Sequence, residues 1–333
     1  MTTRVGINGF GRIGRAFTRL ALDRGDLEVV AVNDITDART LAHLLEFDST
    51  YGRIGRTVTY GPGSLVVGDD AITVLSERDP AMIDWASLGA DLVIESTGKF
   101  RTRDAAAAHL KGGARKVLIS APGKGTDLTI VLGVNSDAYD PERHDVISNA
   151  SCTTNCVAPM VKVLNDAFGV ERGFMTTVHA YTGDQNLLDG PHKDLRRARS
   201  AAANIVPTTT GAARATGEVI PALAGKLDGV AVRVPVEDGS LTDLAVVLRK
   251  EVTAEAVNDA FGAAAYGSLT GILRYSTDPI VSRDIIGDPA SCVFDAVLTQ
   301  AAGTLVKVFG WYDNEWGYTS RLADLAVLVG SQL

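Results

Sequence analysis

The sequence predicts an α/β fold in two parts: a doubly wound parallel sheet, then an α+β region whose sheet is mostly antiparallel. Three observations carry this expectation. The first half alternates short Val- and Ile-rich runs, apolar on both faces, with helical patterns, as a buried parallel sheet requires. A glycine-rich turn joins the first run to the first helical pattern. After about residue 152 the runs lengthen and the helices between them thin out.

Taken in order, RVGINGF, EVVAVND, ADLVIEST, RKVLIS and DVISNAS read as the parallel strands. Between them GRAFTRLALDR, ARTLAHLLEF and RDAAAAHLKG read as helices. Around 57 to 76, TVTYG, SLVVGD and AITVLS alternate more polar residues and suggest an antiparallel insertion. The second half offers GFMTTVHAYTG, GVAVRVPVED, LTDLAVVLRK, SCVFDAVLT and TLVKVFGWYD as strands. A long polar loop occupies 182 to 203, a length that is usually functional or interfacial. The tail WGYTSRLADLAVLVGS reads as an amphipathic helix.

Composition sets the class. A chain of 333 residues suggests roughly two domains, since single cores rarely grow past ~250–300 residues. The formal charge of −8 opposes general attraction to nucleic acid or to an acidic membrane face. No apolar run approaches the ~20 residues of a membrane span. Three cysteines cannot pair fully, and the start MTTRVGINGF has no apolar signal segment, so a reducing, cytoplasmic setting is expected.

In RVGINGFGRIGRAF, Gly9, Gly11 and Gly14 have the G-x-G-x-x-G spacing between a strand and a helix. Such a turn lets a pyrophosphate approach bare backbone at a helix N-terminus, with Arg12 and Ile13 beside it. Asp34 falls twenty residues beyond Gly14, where a carboxylate accepts from ribose hydroxyls and repels a 2′-phosphate. NAD is therefore expected over NADP. The plainer reading is a tight strand-to-helix turn with a helix-capping aspartate. Arg78 and Ser120 close other segments where a cofactor could touch, although spacing alone does not select them.

Cys152 lies between Ser151, a competent N-cap, and Thr153, before an apolar-periodic stretch. Unpaired amides in a first helical turn favour thiolate over thiol, so the position suits a nucleophile as well as a core filler. A zinc site is poorly served by C-x-x-x-C with one distant cysteine, and a disulfide to Cys156 would be strained. Cys156 and Cys292 read as core residues. A thiol nucleophile needs a base, and His179, ending FMTTVHAYTG, is the candidate among five histidines. A lone histidine is more often packed or superficial, and spacing does not measure its distance to the sulfur.

GINGFGRIGR, ASCTTNC at 150–156, TVHAYTGDQ at 177–185, HKDLRRAR at 192–199, PTTTGAA at 207–213 and WYDNEWGY at 311–318 together resemble phosphorylating glyceraldehyde-3-phosphate dehydrogenases. The blocks span the chain in that family's order. The resemblance implies a Rossmann-type NAD domain over 1–151 and 315–333, with a catalytic domain over 152–314. It implies Cys152 as nucleophile, His179 as proton-transfer partner and Asn314 on the nicotinamide carboxamide. Thr182 and Arg233 would hold the C3 phosphate of glyceraldehyde 3-phosphate. Ser151, Thr153, Arg197, Thr210 and Gly211 would surround inorganic phosphate or orient the substrate, since tetrahedral oxyanions need hydroxyls, amides and guanidinium forks. Members are usually homotetramers, with the long polar loop between subunits.

Alone, Thr208 to Gly211 would be an ordinary polar turn, and Arg196, Arg197 and Arg199 a solvated charge run. Two departures stand out: Val157 replaces a larger aliphatic, and VPVEDGSLTDL differs from the VPTPNVSVVDL of relatives. The alternatives are an erythrose-4-phosphate dehydrogenase, or an NAD-binding redox sensor whose catalytic residues are idle.

Overall fold

The computed structural model describes residues 2–333. It divides into two compact units, Met1–Ile130 with Asp137–Ala150 and Thr319–Leu333, and Val131–Ser136 with Ser151–Tyr318.

The first unit is built on a nine-stranded sheet. Its order is Leu128–Thr129, Val146–Ser148, Lys116–Ile119, Leu92–Glu95, Thr3–Asn8, Leu27–Asn33, Asp70–Leu75, Ser64–Val67 and Val58–Gly61. The first seven run parallel; Leu92–Glu95 and Lys116–Ile119 are buried throughout and Thr3–Asn8 at every residue but Arg4, which is why these runs are largely apolar on both faces. The insertion expected at 57 to 76 is only partly antiparallel. Ser64–Val67 pairs antiparallel with both of its neighbours, but Asp70–Leu75 lies parallel to Leu27–Asn33 and extends the main sheet.

Helices Arg12–Ala21 and Ala38–Glu46 follow the predicted patterns, the second capped by the Asp37 side chain accepting from Thr40 N. The pattern at 103–112 does not give one helix. Ala107, at ψ −10°, opens the turn between Arg103–Ala106 and Ala108–Lys111. The C-terminal helix Trp316–Gly330 places Leu322, Leu325, Ala326 and Val329 in full burial. Within the first unit its Asp324 meets Arg24 at 2.7 Å and Arg321 at 2.8 Å.

The second unit carries an eight-stranded sheet. Its main path runs Val206–Thr209, Leu227–Val234, Val170–Ala180, Ser240–Leu248, Leu305–Tyr312, Cys292–Asp295 and Leu273–Ser276, with Gln300–Ala302 pairing beside Leu305–Tyr312. All pairs are antiparallel except Val170–Ala180 with Leu227–Val234 and Leu273–Ser276 with Cys292–Asp295. Helix Cys152–Phe168 packs Cys156, Val157, Met160, Val161 and Leu164 into the core with Phe261 and Phe294, whose rings stack at 3.8 Å. Cys156 and Cys292 are free and fully buried, as core residues should be. The smaller Val157 is likewise fully buried. No described helix is long and apolar enough to cross a membrane.

Asp127 ties the edge of the first sheet together. Its carboxylate accepts from Val146 N (2.8 Å), Asp145 N (2.9 Å) and Arg103 Nε (3.1 Å). Burial opposes its ionisation, but these donors outweigh it and hold the carboxyl below the usual range. A depressed carboxyl stabilises the fold above its unfolded value and loses that contribution as pH falls through the folded value. Asp127→Asn should therefore cost about 2 kcal/mol at pH 7, with the deficit closing in acid below pH ~4, as read by urea unfolding at several pH values.

Candidate active site

Strand Val146–Ser148 turns into helix Cys152–Phe168 through Ala150, whose φ of +55° is the only positive value at a non-glycine among the described residues. A left-handed alanine costs about 1–2 kcal/mol and persists only where its surroundings impose it. Ser151 then caps the helix, its Oγ accepting from Thr154 N at 3.0 Å. Cys152 is thus the first helical residue and remains partly exposed.

His179 reaches it from strand Val170–Ala180, with Nε2 3.5 Å from the Cys152 sulfur. On that strand Met175, Thr177 and His179 alternate inward, so Thr177 and His179 share one face. Tyr312, fully buried, joins the two elements. Its hydroxyl lies 2.8 Å from Thr153 Oγ1 on the helix and 2.8 Å from Thr177 Oγ1 on the strand, and its ring meets that of His179 edge-on at 5.9 Å. Nothing in the residue pattern singled out Tyr312, although it stands in the WYDNEWGY block.

The ring of His179 is fixed from behind. Nδ1 lies 2.7 Å from Ala180 O and 2.9 Å from Arg233 Nη1, which also donates to that carbonyl at 3.0 Å. A carbonyl has two lone pairs, so it accepts from both the guanidinium and Nδ1–H, which leaves the Nε2 lone pair aimed at sulfur.

Burial works against the thiolate that the helix start favours. Burial pushes the Cys152 thiol up to about 11, against the opposing pull of the Arg233 charge and of hydrogen bonds from Thr153. Burial, with Arg233, pushes His179 down to about 3. Neither group ionises readily alone. Moving the proton from sulfur to Nε2 creates opposite charges 3.5 Å apart, whose attraction offsets part of the burial cost.

Two arginines act on this pair electrostatically, Arg233 on both groups and Arg197 on His179. Arg233 pairs in register with His179 on adjacent strands, touches Thr182 Oγ1 at 3.5 Å, and keeps its buried Nε without a partner. Arg197 donates to Asp184 in the long loop (2.8 Å) and to Thr208 Oγ1 on strand Val206–Thr209 (3.0 Å), so this arginine is braced rather than simply solvated. Thr210 Oγ1 accepts from Ala212 N, and Gly211 caps helix Ala212–Val219, where a Cβ would meet nothing within 4 Å. Asn314 is buried, its Oδ1 accepting from Ser240 Oγ at 2.6 Å.

In the first unit a cleft of about 250 Å³ is lined by Gly9, Gly11, Asp34, Arg78 and Thr97 among others. Gly9 has φ +97°, and a Cβ there would lie 2.7 Å from Thr97 N; one at Gly14 would lie 2.4 Å from Gly9 O. A Cβ at Gly11 would project into open space, the bare backbone that a pyrophosphate needs. Asp34 accepts from Phe10 N (2.8 Å) and Thr36 N (2.9 Å), bracing the glycine turn at the cleft. These residues fit a dinucleotide. Arg12 is ion-paired with Asp48 and set over the Tyr51 ring. Ile13 lies in the first turn of that helix, and Ser120 follows strand Lys116–Ile119 with its N–H on Glu95 O. No cluster of metal-ligating side chains occurs among the described residues.

The divergent VPVEDGSLTDL stretch supplies Asp238, which is buried and hydrogen-bonded to the Asp313 carboxyl. Burial pushes Asp313 up against the pull of its Gly287, Trp316 and Glu315 amides. Two carboxyls in contact need a proton between them. A raised folded value stabilises below the unfolded value and is lost as pH rises through the folded one. Asp238→Asn supplies an amide donor without a proton, so its melting temperature should exceed the parent's by about 3 °C at pH 8 and by little at pH 5. Calorimetric scans at both pH values check this.

Comparison with known proteins agrees along the whole chain. Residues 3–103 match the family described as glyceraldehyde 3-phosphate dehydrogenase, NAD binding domain, and 151–314 match its C-terminal domain. The glyceraldehyde-3-phosphate dehydrogenase of Streptomyces coelicolor is 62% identical over 336 residues, covering 100% of both chains. Glyceraldehyde-3-phosphate dehydrogenase 1 of Streptomyces avermitilis is 61% identical over 334 residues, again covering 100% of both. That of Geobacillus stearothermophilus is 57% identical over 333 residues, covering 100% of this chain and 99% of its own. With a glycine turn built for a dinucleotide and a cysteine facing an imidazole, the chain belongs to the glyceraldehyde-3-phosphate dehydrogenase family.

Proposed function

We propose that this chain oxidises glyceraldehyde 3-phosphate to 1,3-bisphosphoglycerate with NAD and inorganic phosphate. The observation that carries the reading is the 3.5 Å approach of Cys152 Sγ to His179 Nε2 at a helix start, among donors suited to phosphate.

The thiol proton passes to Nε2 as sulfur bonds to the aldehyde carbon, and the imidazolium hands that proton to the carbonyl oxygen to give a thiohemiacetal and a neutral His179. His179 then accepts the hydroxyl proton as the carbon loses its hydride, which leaves a thioester on Cys152. NAD, when bound, supplies the hydride acceptor. A phosphate oxygen attacks the thioester carbonyl, the carbon–sulfur bond breaks, and the imidazolium returns its proton to sulfur. Throughout, Ala180 O accepts from Nδ1–H, which keeps Nε2 as the nitrogen that exchanges the proton with sulfur.

The phosphates differ in what holds them. Thr182 and Arg233, with its unpartnered Nε, suit the C3 phosphate. Thr210, Gly211 and the amide end of helix Ala212–Val219 suit the inorganic one, beside Ser151, Thr153 and Arg197. Gly9, Gly11, Arg12, Ile13, Gly14, Asp34, Arg78, Ser120 and Asn314 serve the cofactor. No observation favours the erythrose phosphate or idle-sensor readings.

The proposal extends to a cytoplasmic homotetramer. Leu187, Leu188 and Leu195 on the long loop and Ile205 just after it are 68–82% exposed, apolar surface that a second copy would cover. Three free cysteines suit a reducing compartment.

Cys152→Ala should lower phosphate-dependent NADH formation at least about 10³-fold, read as absorbance with the aldehyde present. Near-parental turnover would sink the mechanism. His179→Gln should reduce kcat by about 10²–10⁴-fold while leaving the thermal midpoint within a few degrees. Unchanged kcat in that variant would remove the imidazole from the chemistry.

A further inference from the structure

Beneath the cofactor cleft of the first unit runs a chain of buried polar groups that the reaction does not use. Trp85 Nε1–H donates to His109 Nδ1 at 3.0 Å. An indole only donates, so this bond leaves the proton of a neutral His109 on Nε2, which faces Glu95 Oε2 at 3.1 Å. The same oxygen accepts from Asn8 Nδ2 at 2.6 Å, and Oε1 accepts from Thr97 N at 2.9 Å and from the Thr97 hydroxyl. Asn8 Oδ1 accepts from Asn33 Nδ2 at 2.7 Å, and Asn33 is pinned at both ends by the Glu77 backbone. Trp85, His109, Glu95, Asn8 and Asn33 are each no more than 4% exposed.

One donor and acceptor assignment satisfies each of these links, with Asn8 Nδ2 and His109 Nε2, 3.4 Å apart, both donating to Glu95 Oε2, and Glu95 stands at the centre with four donors on two oxygens. No lysine or arginine pairs with it in this arrangement. Burying a carboxylate that way is costly unless each lone pair is used. What the arrangement holds is the cleft itself. Asn8, Asn33, Glu77 and Thr97 all line it, and the 96–97 turn forms the wall against which Gly9 packs.

We propose that Glu95 is a positioning residue for the cofactor, its two oxygens setting the spacing between the Asn8 floor and the Thr97 wall, with the Trp85–His109 pair fixing the carboxylate's own orientation. It acts through those groups and does not touch the reacting atoms.

Glu95→Gln in the full-length protein tests this at constant size. The glutamine amide would face donors at Asn8 and His109, so one contact must break or an amide must turn. The dissociation constant for NAD, measured by titration calorimetry, should rise about tenfold, the change one unsatisfied buried donor produces. The KM for NAD should rise by the same factor. By contrast kcat, the KM for phosphate and the alkylation rate of cofactor-free Cys152 by iodoacetamide should each stay within about twofold, as loss of uniform cofactor binding requires. A dissociation constant within twofold of the parent's overturns the proposal, whatever happens to the melting temperature. An equal fall in kcat and in Cys152 alkylation overturns it too. Trp85→Phe, at the far end of the chain, keeps the test readable if Glu95→Gln does not fold. It should weaken NAD about threefold with kcat unchanged, a milder form of the same lost bond, and parental affinity there counts against the proposal.

Discussion

The hydroxyl of Tyr312 is the tie on which the catalytic arrangement depends. It holds Thr153 in the first turn of helix Cys152–Phe168 and Thr177 on strand Val170–Ala180, each at 2.8 Å. Cys152 is the neighbour of Thr153, and His179 lies two residues beyond Thr177 on the same strand face. Once those threonines are pinned to one oxygen, the sulfur and the imidazole have little freedom in their separation. A buried hydroxyl that can donate once and accept twice spends that capacity on joining two elements. The left-handed Ala150 and the Ser151 cap then aim the helix start, so local strain and a long-range bond act on the same sulfur.

The electrostatics of the pair follow from burial rather than from the helix end. Amides in a first turn do favour thiolate, but dense surroundings raise the thiol by more than they lower it. The same surroundings, with the Arg233 guanidinium, keep His179 neutral. A neutral imidazole is the form that can take a proton. The site is arranged as a coupled acid and base, and Arg233 favours the sulfur's charged form while it disfavours a resting imidazolium.

The first unit solves a different problem with the same means. Its cleft must present bare backbone at Gly11 while keeping rigid walls, because a shallow, mobile groove would lose binding energy to ordering. Close packing of the 96–97 turn on Gly9 and the brace from Asp34 to Phe10 N supply rigidity at the glycine turn. Buried side chains anchored on Glu95 supply it from below.

Features set by near neighbours were legible in the sequence. The glycine turn, the acid twenty residues on, the Ser151 cap, the strand ending at His179 and the alternation of strands and helices each follow from spacing within a few turns of chain. Local pattern misjudged the split at Ala107 and the parallel placement of Asp70–Leu75, because a helix break and a strand's partner depend on what packs beside them. Only the folded chain could bring Tyr312 to Thr153 across 159 residues, set His179 within 3.5 Å of the Cys152 sulfur, and place Arg233 behind it. It alone set desolvation against the helix end at Cys152 and made an acid pair of Asp238 and Asp313. Spacing encodes torsion and capping, whereas distance and desolvation arise from strand order and burial, which no short stretch of sequence contains.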